Sequence, residues 1–371
     1  MIMDNYDVVI IGAGTAGLIL AREFGKNRRK TLLLERKDNL LAFSFNTLGS
    51  FINLEEFDLP KSVVSQEIDS IVFYSNRIKR KVKCNAYVLD KKKVHEALLE
   101  AIDTDFVTTI LEVHIKDIKK NVNDEFTSVV DKNGKEYSGK IFIDASGTNG
   151  VISKKVGLRE RKVELATGVE YNVKYIGNPK EAFLMVGKAY QGGYGWIFPM
   201  KNERAIIGFG TIDEKIVKEL KQRLNKIIEL PAIKKLVIKD NEKVEGGSIP
   251  ITPVLEKFVH NNLVCVGDSV SQVNPIVGEG YKFIFEAAIM ASKAIQKSLE
   301  KNDLSYLTEY ESDWKNRFSA NYKRSKDDQT KLFKYSKNNI LMDFALFMSK
   351  FRSNKKIVRS LSGEYGYENL K

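Results

Sequence analysis

Two glycine-containing segments, far apart in the chain, carry the residues with the clearest chemistry. In the first, Gly12, Gly14 and Gly17 are spaced GxGxxG, and Glu35 follows 18 positions after the last glycine. This spacing lets the chain turn tightly and lets a pyrophosphate approach the backbone at the start of a helix. An acid about 20 residues further on is placed to bind a ribose diol. The motif predicts a dinucleotide cradle, with NAD and FAD as equal alternatives.

The sequence around the cradle supplies the elements that would position it. The apolar run 6–11 predicts a buried strand, residues 18–24 have helical spacing, and residues 31–35 predict a second buried strand. The cradle therefore lies on a strand–turn–helix–strand unit. The predicted cradle residues are Gly12, Gly14, Thr15, Ala16, Gly17, Glu35 and Arg36.

The second segment follows the apolar run 263–266 and leads into a predicted helix at about 279–299. An aspartate at the end of a buried strand can bind a ribityl hydroxyl, and free N–H groups at a helix start can stabilise negative charge. The alternative is a structural aspartate that caps the turn. The candidate binding residues are Gly267, Asp268, Pro275, Gly278, Glu279 and Gly280.

The pairing of an early cradle with a late Gly-Asp segment resembles the p-hydroxybenzoate-hydroxylase-type FAD superfamily. The resemblance implies FAD, over which the late segment closes. Residues 87–98 resemble the segment where this superfamily places an arginine near the FAD phosphates, and Lys91 stands there. A solvated lysine run is the alternative for Lys91. Residues 143–147 resemble the strand that leads back to the cofactor domain, with Ser-Gly in place of Asp-Gly.

An aromatic segment identifies the branch that the chain resembles. Residues 193–199 read GYGWIFP, and Gly208 and Gly210 follow, which is similar to the YxWxFP…GxG pattern of geranylgeranyl reductases. The alternation of a strand predicts a substrate wall of Tyr194, Trp196 and Phe198, with Pro199 beside it. The alternative is a core between two domains. Flavin-dependent halogenases have a somewhat similar Trp-x-Ile-Pro segment, but this chain has Phe198 in place of that isoleucine.

This resemblance implies an FAD-dependent reductase of isoprenoid double bonds, in which reduced flavin delivers a hydride to a hydrophobic lipid or prenyl substrate. A monooxygenase, halogenase or carotenoid-cyclase relative and a lipid- or quinone-linked electron-transfer flavoprotein are the alternatives. Such reductases commonly carry a Cys-Gly pair near the flavin, but residues 43–50 contain no cysteine, so no catalytic residue is assigned. No second GxGxxG is present, and the expected electron donor is NAD(P)H or a ferredoxin-like protein.

The amino-acid composition and net charge exclude several classes of protein and site. The 371 residues carry a net charge of +12, which favours anionic partners, but no nucleic-acid-binding motif accompanies it. Two cysteines 181 positions apart argue against a disulfide scaffold and a zinc site, so we expect no metal and a reducing, cytoplasmic setting. The 14-residue uncharged stretch 8–21 is too short to span a membrane.

The tail combines apolar residues at helical spacing (340, 344, 347, 348 and 351) with six basic residues between 337 and 359. Such a helix packs on the protein body or lies on the inner face of an anionic membrane as a peripheral contact. The predicted class is α/β with α+β character: a Rossmann-like FAD-binding domain, an inserted antiparallel-sheet substrate domain and a helical C-terminal segment. We expect the first in residues 1–55, 81–160 and 258–300, the second in 56–80 and 161–257, and the third in 301–371.

Overall fold

The computed structural model describes residues 6–45, 47–159 and 163–367. In chain order its strands are β1 (Tyr6–Ile11), β2 (Thr31–Leu34), β3 (Thr47–Ser50), β4 (Val64–Tyr74), β5 (Lys79–Asp90), β6 (Val107–Ile110), β7 (Ile115–Lys120), β8 (Phe126–Asp131), β9 (Glu136–Asp144), β10 (Leu165–Tyr175), β11 (Glu181–Met185), β12 (Gly193–Met200), β13 (Arg204–Thr211), β14 (Val237–Ile238), β15 (Glu245–Pro250), β16 (Val259–His260) and β17 (Leu263–Cys265). The α-helices are α1 (Thr15–Lys26), α2 (Lys91–Glu100), α3 (Glu214–Val217), α4 (Leu220–Ile228), α5 (Pro231–Lys234), α6 (Tyr281–Lys301), α7 (Leu307–Tyr335), α8 (Asn339–Ser349) and α9 (Asn354–Leu361).

The first sheet brings the two ends of the chain together. Its order is β16-β17-β9-β1-β2-β6, and β17, β9, β1, β2 and β6 run parallel. Ile11 and Cys265 both lie beside Asp144, so three strands end at one edge. The central segments of β1 and β2 are apolar because both faces of the sheet are covered there, and Val8, Val9 and Ile10 are fully buried. Both predicted glycine segments therefore begin at the same edge of one sheet.

The second sheet has the order β14-β10-β13-β12-β11-β4-β5-β3, with β15 also paired to β10. One face packs on a separate core that includes Tyr171, Ile207 and Phe209 and the buried side of α4. The sheet is antiparallel except that β11 runs parallel to β4. About 100 residues separate these two strands in the chain, so their pairing does not come from a hairpin and either direction is available.

The predicted fold class is confirmed, with corrections of detail. The purely antiparallel second sheet that we expected contains one parallel pair. Residues 47–50 and 81–90, which we grouped with the cofactor-binding segments, pair in the second sheet. There β5 alternates buried and exposed residues, forms a hairpin with β4 and pairs with β3. The other predicted domain boundaries remain a prediction. In the described part of the chain, no helix combines the length and the apolar character needed to cross a bilayer.

Three glycines form the floor beneath the indole of Trp196. A Cβ atom built on Gly208 would lie 2.2 Å from indole atoms, and one on Gly168 would lie 2.9 Å from them. On Gly210 the corresponding distance is 3.3 Å. The glycines of the GxG pattern, together with Gly168 on the neighbouring strand, leave room for one large aromatic ring to lie flat across three strands.

We predict that Gly208→Ala destabilises the protein by about 1–3 kcal/mol, because the new methyl group must displace the Trp196 ring from a packed position. Denaturant unfolding and tryptophan emission of the folded protein measure the effect. Gly210→Ala is the matched control and should cost less, since its contact is longer. Equal stability of wild type and Gly208→Ala would show that the ring does not occupy this position.

Candidate functional site

The turn between β1 and α1 has the geometry expected of a dinucleotide cradle. Gly12 has φ +104°, and a Cβ there would lie 2.5 Å from the Ala145 carbonyl oxygen. A Cβ on Gly17 would lie 1.9 Å from the Gly12 carbonyl oxygen, whereas a Cβ on Gly14 would meet nothing within 4 Å. Gly12 and Gly17 are thus needed for close packing, and Gly14 faces open space.

That open space is a cavity of about 500 Å³ at the carboxyl edge of the first sheet. Segments from β1, β2, α2, β9 and β17 converge there. The predicted residues that line it are Gly12, Gly14, Thr15, Ala16, Glu35, Arg36, Lys91, Gly267 and Asp268. Gly17 lies beneath the turn. Pro275, Gly278, Glu279 and Gly280 are not among its lining residues and belong to the loop before α6.

Glu35 is fixed by the turn that it faces. Its carboxylate accepts hydrogen bonds from the Ala13 N–H at 2.8 Å and the Lys37 N–H at 3.1 Å. The side chain is buried at the end of β2 and lines the cavity. The remaining lone pairs of its oxygens are available to a diol, in keeping with the role predicted from its spacing.

Asp268 presents a buried oxygen that has no hydrogen-bond partner among the described residues, its Oδ1. Burial raises the pKa of this carboxyl to about 6, although the charges of Lys91 and Arg159 oppose the shift. A buried acceptor without a donor is costly, and a ligand hydroxyl would satisfy it. The residue that the sequence predicts as a ribityl partner therefore has an unmet acceptor that lines the cradle cavity.

Lys91 and His95 lie one helical turn apart on α2 and both line the cavity. The Lys91 ammonium lies 4.2 Å from the ring centre of Phe45 and 4.9 Å from that of Phe43, and burial lowers its pKa to about 8. His95 Nε2 lies 3.2 Å from both Thr15 Oγ1 and Tyr281 Oη, and burial lowers its pKa to about 3. His95 is therefore neutral.

No motif in the sequence marks His95 as a functional residue. The i, i+4 spacing from Lys91 could have revealed that both face the same cavity. Its contacts with Thr15 and Tyr281 connect α2 to the first turns of α1 and α6.

The loop before α6 is a closed turn held by Asn274. The Asn274 carbonyl accepts from the Gly278 N–H at 2.9 Å, and its side-chain oxygen accepts from the Ile276 N–H at 3.0 Å. The prediction of free N–H groups across this segment is thus wrong at Gly278. The Gln329 side chain donates to the carbonyl of Pro275. The loop is rigidly attached to α7.

Glu279 is a buried acid in the same loop. Its Oε1 accepts from the Ser50 hydroxyl and from the Phe51 N–H at 3.0 Å, and burial raises the pKa of the carboxyl to about 7. Its Oε2 has no hydrogen-bond partner among the residues that the structure describes. Gly280 is the N-cap residue of α6.

The aromatic segment lies on β12, where burial alternates along the strand. Tyr194 and Trp196 have ring centres 5.9 Å apart, and Trp196 stacks on Phe198 at 6.4 Å. The Tyr194 hydroxyl donates to the Val277 carbonyl and so ties this face of the second sheet to the loop before α6. Pro199 has the opposite parity and is buried on the other face, so its assignment to the wall is corrected.

A carboxyl that the sequence did not indicate lies beside this wall. Glu170 on β10 is buried, and its Oε2 accepts from Trp196 Nε1 at 3.2 Å. Burial raises the pKa of Glu170 to about 8, so the carboxyl holds a proton at neutral pH. Its Oε1 has no hydrogen-bond partner among the described residues. Glu170 lies opposite Gly208, which lies opposite Trp196, so Glu170 shares the sheet face of the aromatic wall.

Neither cysteine lines the cradle cavity. Cys84 lies on β5, and burial raises the pKa of its thiol to about 11. Cys265 is fully buried in β17. In the segment where the resemblance placed a Cys-Gly pair, Asn46 lies outside the described residues.

A larger cavity of about 960 Å³ borders the loop before α6 at Ile276 and Val277. It is bounded by β4, β5, β11 and β12 of the second sheet and by α7, α8 and α9. Its lining is mainly apolar and includes Phe73, Leu184, Tyr194 and Val277. Tyr194 and Val277, which are joined by a hydrogen bond, thus form part of its wall.

Comparisons with known proteins agree with this architecture. A family model described as lycopene cyclase protein matches residues 7–350. A digeranylgeranylglycerophospholipid reductase of Methanocaldococcus jannaschii is 29% identical over 329 residues, which cover 84% of this chain and 83% of the relative.

Two solved structures share the fold. A geranylgeranyl bacteriochlorophyll reductase-like protein of Thermoplasma acidophilum superposes with a TM-score of 0.83 at 22% identity, over 98% of this chain and 97% of that chain. A variant of HpxO from Klebsiella pneumoniae complexed with FAD superposes with a TM-score of 0.73 at 15% identity, over 98% of this chain and 100% of that chain.

We predict that Gly14→Ala leaves the free energy of unfolding within about 0.5 kcal/mol of wild type, because no neighbour meets the added methyl group. FAD affinity should fall at least about 10-fold, since the methyl occupies space that a pyrophosphate needs. Flavin fluorescence titration measures the affinity. A large loss of stability, or unchanged affinity, would contradict a cradle at this turn.

Proposed function

The chain belongs to the lycopene cyclase protein family, and from this we propose that it is an FAD-dependent oxidoreductase that reduces isoprenoid double bonds of a lipid. The observation that carries the proposal is the position of Tyr194. This wall residue borders the large apolar cavity and donates a hydrogen bond to the loop that connects Asp268, a lining residue of the cradle cavity, to α6, so one contact joins the proposed substrate wall to the proposed cofactor segment.

The cradle supports FAD as the cofactor. Gly14 leaves room for the pyrophosphate, and Glu35 would bind the adenosine ribose. Asp268 would accept from a ribityl hydroxyl, which satisfies its unpaired Oδ1. Lys91 adds a positive charge above the same cavity. When bound and reduced, FAD supplies a hydride.

The second cavity supports a lipid as the substrate. A long hydrocarbon gains free energy by leaving water for an apolar cavity, and aromatic rings provide large contact areas for it. Tyr194, Trp196 and Phe198 lie on the sheet face that continues into the cavity lining through Leu184 and Phe73. The name of the relative from Methanocaldococcus jannaschii, digeranylgeranylglycerophospholipid reductase, agrees with such a substrate.

Hydrogenation of an alkene needs a proton as well as a hydride, and Glu170 is placed to supply it. The carboxyl is protonated at neutral pH and is held by Trp196 at the wall. Its own burial excludes water, which keeps the proton on the acid until a substrate carbon accepts it. Glu170 would thus fill the catalytic role that the sequence left unassigned.

The proposed function is tested by incubating dithionite-reduced protein anaerobically with di-O-geranylgeranylglyceryl phosphate and recording product masses. Gains in steps of two hydrogens support the proposal. Oxygen-dependent reoxidation with an oxygenated or halogenated product would assign a monooxygenase or halogenase instead, and reoxidation by quinones alone would assign an electron-transfer flavoprotein. Replacing dithionite by NAD(P)H or by reduced ferredoxin tests the two proposed donors.

In the same assay, Glu170→Gln should lower the rate of alkene reduction at least about 100-fold and leave the affinity for FAD unchanged. The wild-type rate should fall as pH rises through about 8, because the proton donor is lost above its pKa. Glu245 raises the pKa of Glu170, so Glu245→Gln should shift this fall to lower pH while activity remains. An unchanged pH profile in either variant would remove Glu170 from the proton-transfer step.

The tail supports a peripheral contact with the inner, cytoplasmic face of a membrane. Met342 and Leu346 of α8 are buried, whereas Phe344 of the same helix is 62% exposed. Phe351, just after the end of α8, is 75% exposed. Lys337 and Lys350 flank this apolar face, and anionic headgroups attract such basic residues. The helix therefore packs on the body with one side and offers an aromatic side to a bilayer.

The double substitution Phe344→Ser and Phe351→Ser should weaken binding to phosphatidylglycerol vesicles about 10-fold or more, because two large apolar side chains no longer insert. Co-sedimentation measures the binding. Val122→Ser is the matched control, since Val122 is fully exposed on a turn outside the tail. Equal losses in both variants would contradict a membrane contact through α8.

A further inference from the structure

Arg80 is a buried cation that the proposed reaction does not use. It lines the large cavity, and its side chain is 5% exposed. Its Nη2 donates to the Arg352 carbonyl at 2.6 Å and to Asn354 Oδ1 at 3.2 Å, whereas Nη1 is buried without a partner among the described residues. No carboxylate within these contacts balances the charge, and a buried unpaired charge is costly.

The surroundings of Arg80 are strongly basic. Arg324, Arg352, Lys356 and Arg359 also line the cavity, and Asp328 is its one acidic lining residue in the described part of the chain. Asp328 is already paired with Arg324 at 2.9 Å. Burial, and to a smaller extent the like charge of Arg352, lowers the pKa of Arg80. Positive charges this close together repel one another unless an anion lies between them, so this cavity is suited to bind an anion.

Strand pairing connects this basic end to the aromatic wall. Arg80 lies opposite Phe73, Phe73 lies beside Leu184, and Leu184 lies opposite Trp196. Side chains that are paired in register share one face of a sheet. Arg80 and Trp196, at the two ends of this row, are three strand spacings apart, a distance of about 14 Å. One face therefore presents a cation at one end, apolar side chains in the middle and Trp196 with Glu170 at the other.

We propose that Arg80, with Arg352 and Lys356, binds the phosphate headgroup of the prenyl lipid and thereby fixes how far its chain reaches along the wall. This inference rests on the proposed function, since it assigns a headgroup to the substrate of the same site. A guanidinium matches phosphate through parallel N–H donors, and the unpaired Nη1 supplies one of them.

The test compares two lipids with the same chains, di-O-geranylgeranylglyceryl phosphate and uncharged di-O-geranylgeranylglycerol, in neutral detergent micelles. Binding to oxidised FAD-loaded protein is followed by the flavin spectrum. We expect the phosphate lipid to bind at least about 10-fold more tightly, the value of one charge-assisted hydrogen bond. Arg80→Gln should abolish most of this preference and leave the affinity for the uncharged lipid unchanged, while Arg80→Lys should retain part of it.

Arg80 also supports the backbone between α8 and α9, so a second variant keeps the test decisive if Arg80→Gln unfolds. Lys356 is exposed and makes no hydrogen bond or ion pair with the described residues, and Lys356→Gln should reduce the preference several-fold. Lys331→Gln is the matched control, because this exposed lysine on α7 does not line the cavity, and its preference should equal that of wild type.

Inorganic phosphate distinguishes a headgroup site from a site for the free ion. Millimolar phosphate should compete with the phosphate lipid and not with the uncharged lipid. The proposal is overturned if wild type binds the two lipids with equal affinity. This holds even if inorganic phosphate alone binds in an Arg80-dependent way, because the site would then bind the free ion and not the lipid headgroup. Because the assay needs no reduction, a headgroup preference without alkene reduction would refute the proposed function and leave this inference standing.

Discussion

The pairing of β9 between β1 and β17 is the constraint on which the rest of the structure depends. Asp144 at the end of β9 is fully buried, and its carboxylate accepts from the N–H groups of Ile152 and Ser153. Its own carbonyl accepts from the Val266 N–H and the Ser269 hydroxyl. This one residue holds the beginnings of both glycine segments at a common edge, so that residues from opposite ends of the chain face one cavity.

Features that depend on residues close together in the chain could be predicted from the sequence. The GxGxxG turn, the buried strands on either side and Asp268 lie where their spacing places them, because a tight turn and a strand end are decided by neighbouring residues. Pro199 was misplaced because we extended the wall past Phe198 without applying the alternation of the strand. Lys91 lies at the predicted cavity, but its stacking on Phe43 and Phe45 could not be foreseen from spacing.

The features that could not be predicted from the sequence depend on the pairing of strands that are distant in the chain. Glu170 keeps its proton because the fold buries it against Trp196, which is 26 positions away. Arg80 and Trp196 share a face through three strand pairings, one of which is parallel and could not be inferred from hairpins. The packing of the tail on the body is visible in α8, which buries Met342 and Leu346 while Phe344 stays exposed, and the membrane contact stays a prediction.

The late entry of β17 into the first sheet has a kinetic consequence. During synthesis the ribosome releases β1, β2 and β9 long before residues 263–265, so the edge that receives β17 must wait while about a third of the chain emerges. Parallel pairing over such distances is slow, and an uncovered apolar strand invites association with other nascent chains. Segments of the second sheet, which pair largely with close neighbours, can form meanwhile. The protein is therefore expected to acquire its nucleotide pocket as one of its last folding events, after most of the polypeptide is already collapsed.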